Sequence, residues 1–149
     1  MQPVHADPAV QANWRAMLGD HRVDRGFAWP EFVETGAPLA LGTDTPTAPY
    51  QPLRNMYVAA TRCSAIDPDL PPNIPRFALP LADAVRHATR DTAWSCRADA
   101  ERGRLAPGLL ADLVVVDRDP FAHGPQSLLD ARVAHTVVGG RDVGTAPSG

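Results

Sequence analysis

The sequence contains no lysine: all fourteen basic residues are arginine. A lysine nucleophile, a Schiff base and a carbamylated-lysine metal bridge are thereby excluded. Cysteine is scarce. Cys63 and Cys96 lie far apart and no CxxC occurs, which excludes a zinc ribbon and a thioredoxin-like redox site. Both thiols are expected to be reduced and mostly buried, as in a cytosolic protein. None of the histidines His5, His21, His87, His123 and His135 falls into HxH, HExxH or another close metal-binding pair. GxxxxGK[ST], GxGxxG and GxSxG are all missing, so phosphate cradles and the hydrolase nucleophile elbow are excluded as well. No apolar run approaches the length of a membrane span, and Met1 to His5 is neither basic nor apolar enough for a signal peptide. The expected location is cytoplasmic, with no membrane partner. The 14 arginines are spread out among 17 acids at a net charge of −3, so no nucleic-acid footprint is expected.

What is present suits a folded enzyme-like chain. Its 149 residues, 44% hydrophobic, are enough to bury a core, as one ordinary domain or two small pieces. The opening reads as the end of a strand followed by a loop. Asp7-Pro8 then starts a helix, with Asp as cap and Pro in the first turn, and Gly19 closes it. A short helix is expected over 27–34. Ala37 and Leu39 to Leu41 form a short apolar run without polar alternation, as in a parallel strand buried on both faces. It ends in Gly42-Thr43-Asp44-Thr45-Pro46, turn chemistry carrying a carboxylate. Pro52 to Cys63 reads as a helix and the proline-rich stretch 64–78 as a long loop. Leu81 to Arg97 reads as the clearest helix, with Leu81, Ala84, Val85 and Ala88 as its apolar stripe and His87 off the stripe, in solvent. After Gly103 the texture turns to β: strands at Leu113 to Val116 and Val133 to Val138, then a hairpin through Gly139-Gly140. The tail from Gly144 is expected to fray. The boundary between the two textures falls between Arg97 and Gly103.

Asp44 is the sharpest candidate. In a parallel α/β fold the C-terminal end of a strand faces the ligand, and a carboxylate there can bind a metal and shuttle a proton. A turn-capping role for Asp44 suits the same residues. His5 also stands where a strand is expected to end and is assigned to substrate contact, with a loop histidine bonded to backbone as the other reading. Arg62 closes Ala60-Thr61-Arg62 after a helix; it is a candidate for binding an acidic substrate group, or for stabilising the helix C-terminus. Trp14, Trp29 and Trp94 are expected to be packing residues.

The ordered series Gln2-Pro3-x-His5, Trp14 through Leu18-Gly19 to Arg22, Gly36-Ala37, Gly42-Thr43-Asp44-x-Pro46, Ala60-Thr61-Arg62, Ala88-Thr89, Gly103-x-Leu105-x-Pro107-Gly108-x-x-Ala111-Asp112-Leu113 and Asp117-x-Asp119-Pro120 resembles the C-terminal part of a metal-dependent amidohydrolase. The group that includes N-substituted formamide deformylases is the most similar. The resemblance implies an α/β fold, a (β/α)8 TIM barrel with a small composite β-sandwich. Residues 1–102 would then be the last two βα units, with the end of strand seven at 1–6 and strand eight at 37–44. Residues 103–149 would be the C-terminal sandwich strands and the frayed tail. It implies hydrolysis of a C–N bond of an amide or formamide type, usually with zinc. Asp44 would bind one metal, take a proton from the attacking water and return it to the leaving amine.

The family's HxH after strand one and the ligands of strands four to six are missing from the sequence. One carboxylate does not retain a catalytic zinc, which normally has three protein ligands. The expectation is a C-terminal portion inactive alone, exposing strand edges and apolar helix faces. It is read as a truncated product, as one half of a split enzyme paired with the missing N-terminal part, or as a non-catalytic interaction module. Self-association is a further expected consequence. The loop 64–78 is the candidate specificity loop for a small amide-type substrate.

Overall fold

The computed structural model describes residues 1–144. The fraying expected of the tail falls, from residue 145 onward, outside the described residues. The Asp7 carboxylate accepts from the Ala9 amide at 2.9 Å and Pro8 opens a 3-10 turn, Pro8–Val10, that runs into α1 (Gln11–Leu18). Gly19, at φ 77°, stops it, and α2 (Asp20–Val23) follows. The second expected helix is α3 (Trp29–Glu34) and the third is α4 (Pro52–Thr61), which ends at Arg62 in the left-handed region, φ 62°.

The single helix expected over 81–97 is in fact two, α5 (Leu81–Ala88) and α6 (Arg90–Ser95), broken at Thr89. Thr89 turns its hydroxyl back to the Val85 carbonyl at 2.8 Å, a bond that competes with helix continuation. The break frees the His87 carbonyl, which accepts from the Leu41 amide at 3.2 Å and the Thr92 hydroxyl at 2.8 Å. Thr92 also reaches the Leu41 carbonyl at 3.1 Å. The α5–α6 corner therefore holds the extended run Leu39–Leu41 in place.

That run corrects a second expectation. No parallel strand forms at 37–44, and residues 3–6 are a 3-10 turn, Pro3–Ala6. One parallel rung is present: the Met1 amino group donates to the Ala40 carbonyl at 2.8 Å, and the Gly42 amide donates to the Met1 carbonyl at 2.8 Å. This is the alternation of a parallel ladder around Leu41. Towards residue 3 it goes no further, because Pro3 has no N–H to donate and the Gly42 carbonyl accepts instead from the Asn55 side-chain amide at 2.9 Å.

The β segment is where it was expected. β1 (Leu113–Val116), β2 (Val133–Val138) and β3 (Arg141–Gly144) make an antiparallel sheet in the order β1-β2-β3. Gly139 and Gly140 both take positive φ (57° and 78°), as a two-residue type I′ hairpin turn requires. The short helices α7 (Pro120–His123) and α8 (Ser127–Asp130) connect β1 to β2. The family-like motifs here are structural. The Asp112 carboxylate accepts from the Gly139 amide at 2.7 Å, Asp117 from Arg132 at 2.8 Å, and Asp119 caps α7 through the Phe121 amide at 2.8 Å.

The main core lies between α4, α5, α8 and the extended run, with Trp29, Leu39, Leu41, Met56, Val58, Ala84 and Leu128 buried together. The sheet stands apart from it: Val114, Val138 and Val143 are more than half exposed. Apolar faces are thus open to solvent, as expected of the resemblance. Three smaller expectations are corrected. His87 is buried rather than solvated, its Nδ1 2.6 Å from Asp91 across the α5–α6 corner. Cys96 is exposed. Trp14 and Trp94 are substantially exposed, leaving Trp29 as the buried packing tryptophan. Among the described residues no helix is long and apolar enough to cross a membrane.

Candidate functional site

His5 and Asp44 come together. His5 sits in the Pro3–Ala6 turn and Asp44 just beyond the extended run. Their side chains meet with Nε2 3.5 Å from Oδ2, both partly open to solvent. The distance is longer than an ordinary hydrogen bond, so both groups keep capacity for another partner. Asp44 has φ 66°, a left-handed conformation that a non-glycine residue adopts at a cost but that Asp tolerates better than most. Its carbonyl accepts from the Thr47 amide at 2.8 Å and the Ala48 amide at 3.3 Å. The backbone of Asp44 thus does the turn work that the sequence offered as its other reading, while the carboxylate faces His5.

Asn55, which the sequence did not single out, fixes the relation between the two segments. It is buried on α4, its Oδ1 accepts from the Val4 amide at 3.0 Å, and its Nδ2 donates to the Gly42 carbonyl at 2.9 Å. Gln11 adds a bond to the His5 carbonyl at 2.6 Å. Asp7, 2% exposed, was legible as a cap but does more: its second oxygen accepts from the Ala65 amide at 2.8 Å and draws the loop 64–78 to the His5 turn. Asn55 and Gln11 leave no sequence signal, since a polar residue within a helix is ordinarily solvated.

The structure places Arg62 elsewhere. Its side chain is fully buried, 4.6 Å from the Trp29 ring, and its guanidinium donates to the Asn73 carbonyl at 2.6 Å and the Phe27 carbonyl at 3.3 Å. Burial, aided by the charge of Arg76, pulls its pKa down to about 10. Its donors hold loop backbone to the C-terminal end of α4, away from the His5–Asp44 pair.

A cleft of about 340 Å³ adjoins the pair, with His5 on its wall and Val4, Val10, Trp14 and Ile66 supplying much of its apolar surface. Ala65 and Ile66 bring the expected specificity loop into it. A metal fits this chain incompletely. Among the described residues no three His, Cys, Asp or Glu side chains converge, whereas catalytic zinc is normally held by three protein ligands.

The sequence pattern of the Amidohydrolase family matches residues 1–143. YtcJ of Bacillus subtilis (strain 168), a protein assigned to the amidohydrolases, is 32% identical over 126 residues, which are 85% of this chain and 24% of that protein. The N-substituted formamide deformylase of Arthrobacter pascens is 28% identical over 127 residues, 85% of this chain and 22% of that enzyme. The chain thus spans about a quarter of the length of these relatives. Among solved structures, an amidohydrolase from Thermotoga maritima MSB8 shares the fold with a TM-score of 0.57 at 21% identity, over 78% of this chain and 25% of that one. An enamidase of the amidohydrolase superfamily gives 0.51 at 21% identity, over 91% and 37%. With the family pattern running through the His5 turn, Asp44 and the sheet alike, this chain belongs to the amidohydrolase family.

Proposed function

We propose that this chain supplies part of the active site of an enzyme that hydrolyses a C–N bond of the amide or formamide type. The observation that carries it is the juxtaposition of Asp44 with His5 beside the Met1–Leu41 rung, with His5 on the wall of a cleft. Asp44 accepts a proton from the attacking water and passes it to the leaving nitrogen, as a positioned carboxylate can. His5 contacts the substrate and holds the Asp44 carboxylate on the cleft side. A divalent metal, zinc by family habit, would take Asp44 as one ligand, with the other ligands from outside the described residues. The donor set here is too small to derive any step through it, and the chain alone is proposed to be inactive.

The test places residues 1–143 in the register of the matching quarter of YtcJ and measures amide and formamide turnover together with bound metal. Asp44→Asn keeps the size but removes the proton acceptor. Turnover is expected to fall by about 10²–10⁴, with His5→Ala milder. Near-wild-type turnover with full metal in Asp44→Asn would reduce Asp44 to a turn residue.

A further inference from the structure

A second hollow, of about 380 Å³, opens where the Leu39–Leu41 run begins, whereas Asp44 lies beyond the end of that run. Gly36 to Pro38 form one wall and the α5–α6 corner another, and no lining residue is shared with the cleft beside His5. Arg90 and Trp94 stand about one turn apart on α6, so they share a face of that helix. Arg104 reaches the hollow from the chain just after Gly103. Gly103 packs so closely on α6 that a Cβ there would stand 3.1 Å from the Arg90 Cα. The absence of a side chain at Gly103 thus lets two arginines line one concavity.

The charged groups on this lining are unequally engaged. Arg86 pairs with Asp83 at 3.2 Å and lies 3.9 Å from Asp91, and Asp91 is also 2.6 Å from His87 Nδ1. His87 Nε2 is enclosed within the wall, so the imidazole offers a ligand no polar atom. Among the described residues the arginines with a carboxylate partner are Arg15, Arg25, Arg86 and Arg102, which leaves Arg90 and Arg104 without one. Asp99 lines the same hollow and pairs with neither. The unengaged charges are therefore two positive and one negative, and their sum is one positive charge. Two unpaired guanidinium groups on one concavity repel each other and attract an anion. Trp94 is 54% exposed, and Val33 and Pro38 add apolar surface to the same lining. Such a surface suits a flat apolar ring.

We infer that this hollow binds a small aromatic monocarboxylate, its carboxylate held by Arg90 and Arg104 and its ring laid against Trp94. The planar fork of a guanidinium presents parallel N–H donors that match the two oxygens of a carboxylate. A single negative charge meets the net charge of the unengaged groups, whereas a dianion would bring a second charge against Asp99. The site stands apart from His5 and Asp44 and does not rest on the function proposed above.

The experiment uses the 149-residue chain and benzoate, with benzamide as a neutral probe of the same shape and phenyl phosphate as a dianionic one. Binding is read from the Trp94 indole resonance and the backbone amides of α6. Benzoate is expected to bind about tenfold tighter than benzamide, the size of a charge-assisted hydrogen bond at a partly open site. Added salt should weaken benzoate and leave benzamide unchanged. Arg90→Gln and Arg104→Gln should each weaken benzoate by about fivefold or more, while Trp94→Ala should weaken benzoate and benzamide alike. Both arginines and the tryptophan are exposed, so these variants are expected to fold as the parent does. Equal affinities for benzoate and benzamide in the wild-type chain would overturn the inference, and that readout depends on no variant. Benzoate binding that survives both arginine substitutions, or a Trp94 resonance that does not move at saturating benzoate, would overturn it too. Tighter binding of phenyl phosphate than of benzoate would overturn the assignment to a monocarboxylate.

Discussion

Asn55 joins the two segments of the candidate site with a donor and an acceptor on one buried amide. Replacing it by Ala leaves the Val4 N–H and the Gly42 carbonyl without partners. Each such group costs roughly 1–3 kcal/mol when buried. Asn55→Ala is expected to destabilise the chain by about 2–4 kcal/mol and to loosen the His5–Asp44 contact; urea unfolding and the shift of the His5 ring resonances would register both. Asn55→Asp keeps the acceptor for Val4 but sets a negative charge against the Gly42 carbonyl, so it should not rescue. Asp44 stood out in the sequence as a carboxylate within turn chemistry, and the turn is there: its carbonyl accepts from the Thr47 and Ala48 amides. Asn55 did not stand out, because one amide within a helical pattern looks the same whether it is solvated or bridging two distant loops.

At the scale of the element, the α5–α6 corner and the hairpin carry separate predictions. Gly103, at φ 98°, passes so close to α6 that a Cβ would stand 2.6 Å from the Ala93 Cβ and 3.1 Å from the Arg90 Cα. Gly103→Ala meets both a left-handed backbone and a backbone clash, so a loss of about 2–4 kcal/mol is expected. Gly108, also at positive φ but with open space around it, should lose less on the same change. Thermal melts of the two variants compare them directly. In the hairpin, the Gly144 amide, and secondarily His135, hold the Asp142 carboxyl below its ordinary value of 3.8. A lowered folded value means that this contribution is fully present above pH about 4 and is lost as pH falls through the depressed value. Protection of the Gly144 amide, measured against its intrinsic exchange rate, should therefore fall in that acid range, and Asp142→Asn should flatten the profile. An unchanged profile in the variant would assign the acid sensitivity to another group.

Across the whole molecule, burial is uneven. The helical part closes a core around Trp29, Val58 and Ala84, while the sheet leaves Val114, Val115, Val138 and Val143 substantially exposed and β1 with a free edge. Exposed β-branched strands with an open edge favour pairing with another chain. The chain is expected to bind a hydrophobic dye and to self-associate as concentration rises, and sedimentation velocity at several concentrations checks this. Substituting Val114 and Val138 by Thr should reduce the association without touching the helical core. A concentration-independent monomer that excludes the dye would count against it.

Local chemistry alone determined a good deal of this protein. The Asp7-Pro8 start, the Gly139-Gly140 turn, the β-branched runs at 113–116 and 133–138 and the carboxylate at 44 are each specified by residues within a few positions of one another. Tertiary structure decided whatever depends on a distant partner. Leu39–Leu41 carries strand-like residues, yet a ladder needs aligned donors and acceptors on a neighbour, and beyond the Met1 rung Pro3 offers no N–H while Asn55 takes the Gly42 carbonyl. Arg62 carries the same charge in a substrate site or in a core. Only the tertiary structure shows Asn73, Phe27 and Trp29 closed around it. The meeting of His5 with Asp44 likewise awaited Asn55, because hydrogen bonds between segments far apart in sequence leave no periodic trace.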